Sequence, residues 1–388
     1  MSAPKSAREK PLMMHLSLAA KALADPQLQN KTRFDDDFWS RDEGREIKAS
    51  MEKVVEGIKK YQLHPFTRGE TKRPVIWQYG EVRLFHYAAE QKPFARILII
   101  PSMINGSEIL DLLPGRSLLE WLAKQGMDVY LLDWGDLTKD AELKTLGSAM
   151  GDKLGKLLGW LKTQSDLPLA GLGYCMGGLL LAAADQLHAK NFDALCFVAT
   201  PWDFKQKVDG NFAESLLNWA ENGLPQMMHV ENMPAQWLQL IFAGVDPAQI
   251  AAKFSSFSKM EQESEQAKLF VAVEDWVNGG SDLPSRIVMQ TVDGWYRKNE
   301  PATGEWKLKG KPIRAENIRT PSFVVVPSRD KIVPPESAKP LAEALPVATM
   351  LEADCGHISM MIGRNAETQV WQPMLDWIIS QCSKKSAT

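Results

Sequence analysis

The residues Gly173-Tyr174-Cys175-Met176-Gly177-Gly178 stand between a run that reads as a buried strand and one that reads as a buried helix. A cysteine at such a junction is set up for nucleophilic chemistry. A tight strand-to-helix turn exposes the side chain at its tip, and glycines two before and two after it let the two backbones pack closely, the arrangement of a nucleophile elbow. The start of the helix adds its dipole and free N–H groups, which favour thiolate over thiol and direct the Met176 N–H to where an oxyanion would form. A buried structural cysteine between packing glycines gives the same short pattern, so the rest of the chain has to decide.

A cysteine nucleophile needs a base, and the base needs an acid to hold its tautomer. On strand-turn-helix frameworks of this kind the three follow in the order nucleophile, acid, histidine, on loops after later strands. The loop Ser328-Arg329-Asp330-Lys331-Ile332-Val333-Pro334 follows a strand-like run at Ser322 to Pro327 and offers Asp330. Cys355-Gly356-His357 follows the last strand-like run and offers His357. Of six histidines, His15 and His64 fall in a leading helical region, His86 in an early strand, His188 in a helix and His229 in an insertion. Only His357 sits on a loop in the required place. Other carboxylates compete for the acid's role: Asp203 follows the strand after the nucleophile, Asp354 is three residues before the histidine, and Asp133 ends a strand on the same edge but reads as a turn cap. Asp330 is preferred because the loop after the penultimate strand is the usual acid position. For a second oxyanion donor, the loop Pro101-Ser102-Met103-Ile104-Asn105 follows an early buried strand, which makes Met103 or a neighbour the candidate.

These loops need a parallel sheet to gather them. From Val75 onward, Ile76 to Tyr79, Val82 to Tyr87 and Ala95 to Pro101 are β-favouring runs, the last bare enough for a central strand. Then come a helix at Ser117 to Gln125, a strand at Asp128 to Asp133, a helix at Gly147 to Thr163, a strand at Leu167 to Gly173, a helix at Gly177 to Ala189 and a strand at Ala194 to Ala199. After an interruption, Ser322 to Pro327 and Val347 to Leu351 read as strands, with helices at Pro335 to Ala344 and Glu367 to Gln381. Alternation of this kind predicts an α/β fold, a mostly parallel sheet with helices on both faces. The chain divides into a helical arm (1–70), a first part of the core (71–204), an inserted helical cap (205–312) and a second part of the core (313–388). The cap is rich in aromatic residues and methionine, including Trp202 at its threshold, Trp219, Trp237, Trp276, Trp295, Met227, Met228, Met233 and Met260. Such residues usually fill a core; the alternative is an apolar access channel for an acyl substrate.

Composition narrows the classes. The 388 residues carry 45 Lys+Arg and 48 Asp+Glu, a net charge of −3, without the basic excess that sequence-independent nucleic-acid binding requires. Four cysteines are too sparse for a disulfide framework, and no CxxC or Cys/His spacing points to zinc. No dinucleotide fingerprint, phosphate loop or metal-ligand spacing is present, so neither cofactor nor metal is expected. The uncharged stretch Leu167 to Ala184 approaches membrane-spanning length, but Pro168 and the glycines at 171, 173, 177 and 178 fit a strand, a turn and a helix instead. Near the N-terminus, Lys5, Arg8 and Lys10 precede an apolar stretch at Pro11 to Ala20, and Ala22-Leu23-Ala24 imitates a cleavage site. His15, Ser17 and Lys21 interrupt it, so an amphipathic leading helix is the preferred reading.

Taken together the motifs resemble the polyhydroxyalkanoate synthase family, α/β-hydrolase-fold acyltransferases with a cysteine nucleophile. The resemblance rests on Ile100-Pro101-Ser102-Met103-Ile104-Asn105, Ile109-Leu110-Asp111-Leu112, Tyr130-Leu131-Leu132-Asp133-Trp134-Gly135, the Gly-Tyr-Cys-Met-Gly-Gly elbow, Ala199-Thr200-Pro201-Trp202-Asp203-Phe204, Asp330-Lys331-Ile332-Val333-Pro334 and Gly356-His357-Ile358. It covers about Pro74 to Phe204 and Pro321 to Trp377. It implies that Cys175 takes the acyl group of a 3-hydroxyacyl-CoA as a thioester, with His357 as base and Asp330 behind it, and that a hydroxyl of the next unit or of a polyester chain then accepts the group. Coenzyme A is part of the substrate rather than a cofactor. The resemblance further implies a cytoplasmic protein at the surface of polyester granules, a homodimer formed through the cap and, since the length is nearer the short type, a second synthase subunit as partner. Ser102 departs from the second proline of many synthases. The same three residues with water as acceptor would make a thioesterase or an intracellular depolymerase, and a catalytically silent granule protein is a third reading.

Overall fold

A computed structural model describes residues 37–69, 73–205, 212–227, 229–237, 239 and 247–386. The amphipathic leading helix expected around Pro11 to Ala20, His15 included, lies outside these. Two compact units emerge, and they cut across the segments drawn from the sequence: Met1–Glu70 groups with Leu238–Gly280, and Thr71–Trp237 groups with Ser281–Thr388.

The larger unit is built on a sheet of eight strands: β1 (Val75–Tyr79), β2 (Val82–Tyr87), β3 (Ala95–Ile100), β4 (Met127–Asp133), β5 (Leu169–Tyr174), β6 (Ala194–Val198), β7 (Ser322–Pro327) and β8 (Ala348–Ala353). Their spatial order is β1-β2-β4-β3-β5-β6-β7-β8. β1, β2 and β4 pair antiparallel in turn. From β4 onward every pairing is parallel. Strands β3, β5, β6 and β7 are buried along their whole length, which is why they are bare apolar runs rather than alternating ones. Parallel pairing brings their C-terminal ends to one edge: Ile100 lies beside Gly173, Tyr174 beside Val198, and Pro327 beside Ala353. The candidate residues all follow those ends.

Helices cover the strands as the sequence predicts, with local differences. Ser117 caps the helix Leu118–Lys124 by accepting the Glu120 N–H at 3.0 Å. The single helix expected at Gly147 to Thr163 is a π-helical turn at Ser148–Lys153 followed by the α-helix Leu154–Gln164. The stretch Leu167 to Ala184 is indeed a strand, a turn and the helix Met176–Leu187. No helix among the described residues is long and apolar enough to cross a membrane.

The smaller unit joins the helices Asp42–Leu63, Pro247–Ser258 and Glu265–Asn278. Its core is Ile58, Tyr61, Phe254, Phe257, Ala267 and Val271, and Phe257 stacks on Phe270 at 4.2 Å. The Tyr61 hydroxyl donates to Asp275 at 2.9 Å, so the polar tip of this buried ring is satisfied.

The aromatic residues around the interruption pack as core within the larger unit. Trp202, Trp295 and Trp306 are buried and meet edge to face, Phe204 packs on Trp295 and Tyr296, and Met233 is fully covered. The side chains of Trp219 and Met227, and Met228 as a whole, lie outside what is described.

Candidate active site

Cys175 occupies the turn between β5 and the helix Met176–Leu187 with φ 56° and ψ −125°. A non-glycine residue held there stores about 1–3 kcal/mol, which surrounding contacts must offset. Two main-chain hydrogen bonds do so: the Cys175 N–H donates to the Val198 carbonyl at 2.8 Å, and the Gly178 N–H to the Cys175 carbonyl at 2.9 Å. The flanking glycines are required by space. A Cβ on Gly173 would meet the Gly177 carbonyl and Gly178 Cα at 2.5 Å, and one on Gly177 would collide with the Ile100 carbonyl. The start of the helix therefore lies directly against the end of β3 and the loop that follows it.

That loop carries Met103, buried, as is Met176 at the first helical position. Trp134 Nε1 donates to the Pro101 carbonyl at 3.1 Å, and the Ile104 N–H donates to Ser102 Oγ at the same distance. Met103 and Met176 are thus on the two segments that adjoin the elbow.

On the loops after β7 and β8, His357 Nδ1 lies 2.6 Å from Asp330 Oδ2. The other carboxylate oxygen, Oδ1, accepts the N–H groups of Ile332 at 2.8 Å and Val333 at 2.9 Å. The Asp330 side chain is wholly buried and that of His357 is 9% exposed. With Nδ1 engaged, the other ring nitrogen is left for the half-buried Cys175, whose side chain is within hydrogen-bonding reach of the imidazole. Burial pulls the His357 pKa down, but Asp330 and Cys175 outweigh it and hold the imidazole well above its ordinary value.

The other carboxylates are committed elsewhere. Asp203 accepts from Asn299 Nδ2 at 2.8 Å and from the Lys205 N–H at 3.0 Å. Asp354 pairs with Arg329 at an exposed position. Asp133 pairs with Arg83 and accepts the Gly135 N–H, capping its turn. His64, His86 and His188 bond the Gln262 carbonyl, Asp128 and the Met150 carbonyl respectively. Among the described residues no group of His, Cys, Asp and Glu is gathered as a metal would need.

Two neighbours of the site escaped the sequence reading. The Tyr174 hydroxyl donates to the His357 carbonyl at 3.0 Å. Tyr296, in the π-helical stretch Gln290–Arg297, has its pKa raised first by burial and then by the charge of Cys175, which brings a residue of the interruption within electrostatic range of the nucleophile. Neither carries a local signal, because a tyrosine ending a strand or sitting in an aromatic helix reads as core.

The sequence over residues 96–363 matches the family described as the alpha/beta hydrolase fold. The chain belongs to the α/β-hydrolase fold family. Strand order, parallel pairing and the elbow after β5 agree with that membership, and the fold class expected from the sequence is borne out. Within the α/β-hydrolase fold, the chain is 28% identical over 320 residues to a protein of Haloferax mediterranei named poly(3-hydroxyalkanoate) polymerase subunit PhaC, covering 80% of this chain and 64% of that one. A protein of the same name from Haloarcula marismortui is 26% identical over 326 residues, covering 80% and 68%. A third, from Thiocystis violacea, is 26% identical over 319 residues, covering 80% and 88%. The resemblance read from the motifs is therefore borne out by the relatives, while the chain spans just under two thirds of the length of the Haloferax protein.

Proposed function

We propose that the protein is an acyltransferase of the poly(3-hydroxyalkanoate) polymerase type, with Cys175 as nucleophile, His357 as general base and acid, and Asp330 as the group that orients it. The observation that carries this reading is the Asp330–His357 hydrogen bond at 2.6 Å, with Cys175 interacting with the same imidazole. The names of the relatives support the substrate class.

In this mechanism Cys175 Sγ, its proton already held by His357, attacks the carbonyl carbon of a 3-hydroxyacyl-CoA. Collapse of the tetrahedral intermediate breaks the bond to the CoA sulfur, which leaves as the thiol after taking the proton from His357. The hydroxyl of a second 3-hydroxyacyl unit or of a chain end then gives its proton to His357 and attacks the Cys175 thioester. An ester forms and the free thiol returns. The N–H of Met176 at the helix start and one from the Met103 loop would stabilise the oxyanion. CoA enters as part of the substrate, and no step as written needs a cofactor. Cysteine suits the task because exchange between two thioesters is nearly balanced in free energy, so the acyl-enzyme stays reactive enough to acylate an alcohol. The packing of Phe204 on Trp295 and Tyr296, the last within electrostatic range of Cys175, supports transfer over hydrolysis by limiting water. The relatives' designation as subunits supports a second subunit as partner, and an insoluble product would hold the enzyme at a granule surface.

The test is incubation of the protein and its Cys175→Ala variant with 3-hydroxybutyryl-CoA, following free CoA and analysing the acyl product. Release that depends on Cys175 and yields polyester supports the proposal. Release of the free hydroxy acid alone would move the assignment to a thioesterase.

A further inference from the structure

His357 lies on a loop beyond the sheet's last ladder pairing, so strand hydrogen bonds do not fix its main chain. Asp330 fixes one ring nitrogen but leaves the imidazole free to pivot about that bond. The second restraint comes from β5. Tyr174, its last residue and the immediate neighbour of Cys175, is 3% exposed, donates its hydroxyl to the His357 carbonyl at 3.0 Å and lays its ring 5.1 Å from the imidazole at a 34° tilt. One side chain thus ties the base's backbone and one face of its ring to the strand that carries the nucleophile.

We infer that Tyr174 is a positioning residue that sets the Cys175–His357 alignment, acting on the imidazole through the His357 carbonyl and ring face. The inference rests on the proposed roles of Cys175 and His357. Burial holds the phenol well above its ordinary pKa, so it stays a donor throughout the working range. The other titratable groups around the pair are Asp330, Cys355 near the Tyr174 ring, and Tyr296 near Cys175. None of them duplicates the bond to the carbonyl among the hydrogen bonds described.

Tyr174→Phe removes the hydroxyl and keeps the ring; Tyr174→Leu removes both. The reporter is the rate at which iodoacetamide alkylates Cys175, read by mass spectrometry on that peptide from about pH 5.5 to about pH 9, with His357→Gln as the reference for a lost base. Loss of one net hydrogen bond predicts alkylation about fivefold slower at neutral pH in Tyr174→Phe, with its profile displaced toward that of His357→Gln, and a larger drop in Tyr174→Leu. With 3-hydroxybutyryl-CoA, kcat should fall by a similar factor at unchanged KM. A Tyr174→Phe profile that superimposes on the wild type, even with a lowered thermal midpoint, would overturn the inference and leave Tyr174 as packing. Because alkylation needs no substrate, this comparison decides the role of Tyr174 even where the wild type alone fails to release CoA, an outcome that points to a missing subunit, another acyl donor or a silent relative.

Discussion

Two ion pairs lie deep in the larger unit, and their surroundings differ. Asp330 and His357 meet at 2.6 Å with side chains 0% and 9% exposed; Asp140 and Lys153 meet at 2.8 Å with side chains 3% and 2% exposed. Around Lys153 every direction is closed. Its ammonium reaches Glu142 as well, lies 4.3 Å from the centre of the Tyr79 ring, and faces an Asp140 that also accepts the N–H groups of Glu81 and Glu142. Around His357 one nitrogen is left for Cys175. A closed polar network stabilises the place where it sits, whereas a network with one open valence can move a proton. Burial alone does not tell them apart; the number of unfilled partners does.

Replacing the acid should break the open pair with the largest effect. In Asp330→Asn the amide oxygen can keep the Ile332 and Val333 N–H groups, which turns the NH2 toward His357 Nδ1 and forces the wrong tautomer. CoA release should fall by about three to four orders of magnitude while thermal stability changes little. Steady-state rates together with a melting curve check both halves, and a variant that keeps a tenth of the activity would remove Asp330 from its role.

The closed pair should respond the opposite way. Lys153→Met leaves Asp140 buried without its cation and should lower stability by about 3–5 kcal/mol, while the fraction still folded keeps wild-type activity per molecule. Denaturant midpoints measure the first and active-site titration with iodoacetamide the second. Adding Asp140→Leu to Lys153→Met should restore much of the loss, since the penalty belongs to the stranded charge rather than to the missing bond.

What the sequence revealed follows the same divide. The strands Val82–Tyr87 and Ser322–Pro327 and the helix Pro335–Ala344 were legible to the residue, because the first is a β-favouring run in a partly buried antiparallel strand, the second a continuous apolar run in a buried parallel one, and prolines mark where the helix begins. Cys175, Asp330 and His357 could be read because parallel strands place their following loops on one edge. Lys153 could not: it falls inside a run read as one helix, and its burial at the end of a π-helical turn depends on Asp140 and Tyr79, which lie elsewhere in the chain. The pairing of residues 247–278 with the helix Asp42–Leu63 also left no trace, since contacts between segments so distant along the chain have no local period. The same holds for Asn299, whose left-handed backbone, φ 59°, serves a clasp on Asp203 and Phe204.

That clasp offers a middle-sized test. Asn299→Ala loses the bond from the Phe204 N–H and the bond to Asp203, and puts alanine where positive φ is costly, for a loss of about 2–3 kcal/mol. Phe204 packs on Tyr296 at 4.6 Å, so loosening it should admit water to the acyl-enzyme. Product analysis should then show a larger share of free hydroxy acid at nearly unchanged CoA release. An unchanged product ratio would mean that the aromatic wall does not exclude water.

The smallest effect is in pH, and it separates the pairs by sign. The His357 pKa is raised in the folded chain, so between the unfolded value near 6.5 and the higher folded value the folded state binds more protons and stability falls as pH rises. For Lys153, burial works against the ammonium but its bonds to Asp140 and Glu142 prevail and raise its pKa; that contribution is complete below about pH 10.4 and is lost as pH climbs through the folded value. For Asp140, burial is likewise outweighed, by Lys153 and two backbone N–H groups, and the lowered pKa makes its contribution present above about pH 4 and lost as pH falls through the folded value. From about pH 6.5 to about pH 9 the open pair should therefore fade while the closed pair stays constant. Thermal midpoints of the wild type, His357→Gln and Lys153→Met across this range test it. The gap between the wild type and His357→Gln should narrow with rising pH and the gap to Lys153→Met should hold. Parallel curves for all three would mean that the folded imidazole is already neutral near pH 6.5, and that the Asp330–His357 bond joins an anion to an uncharged ring.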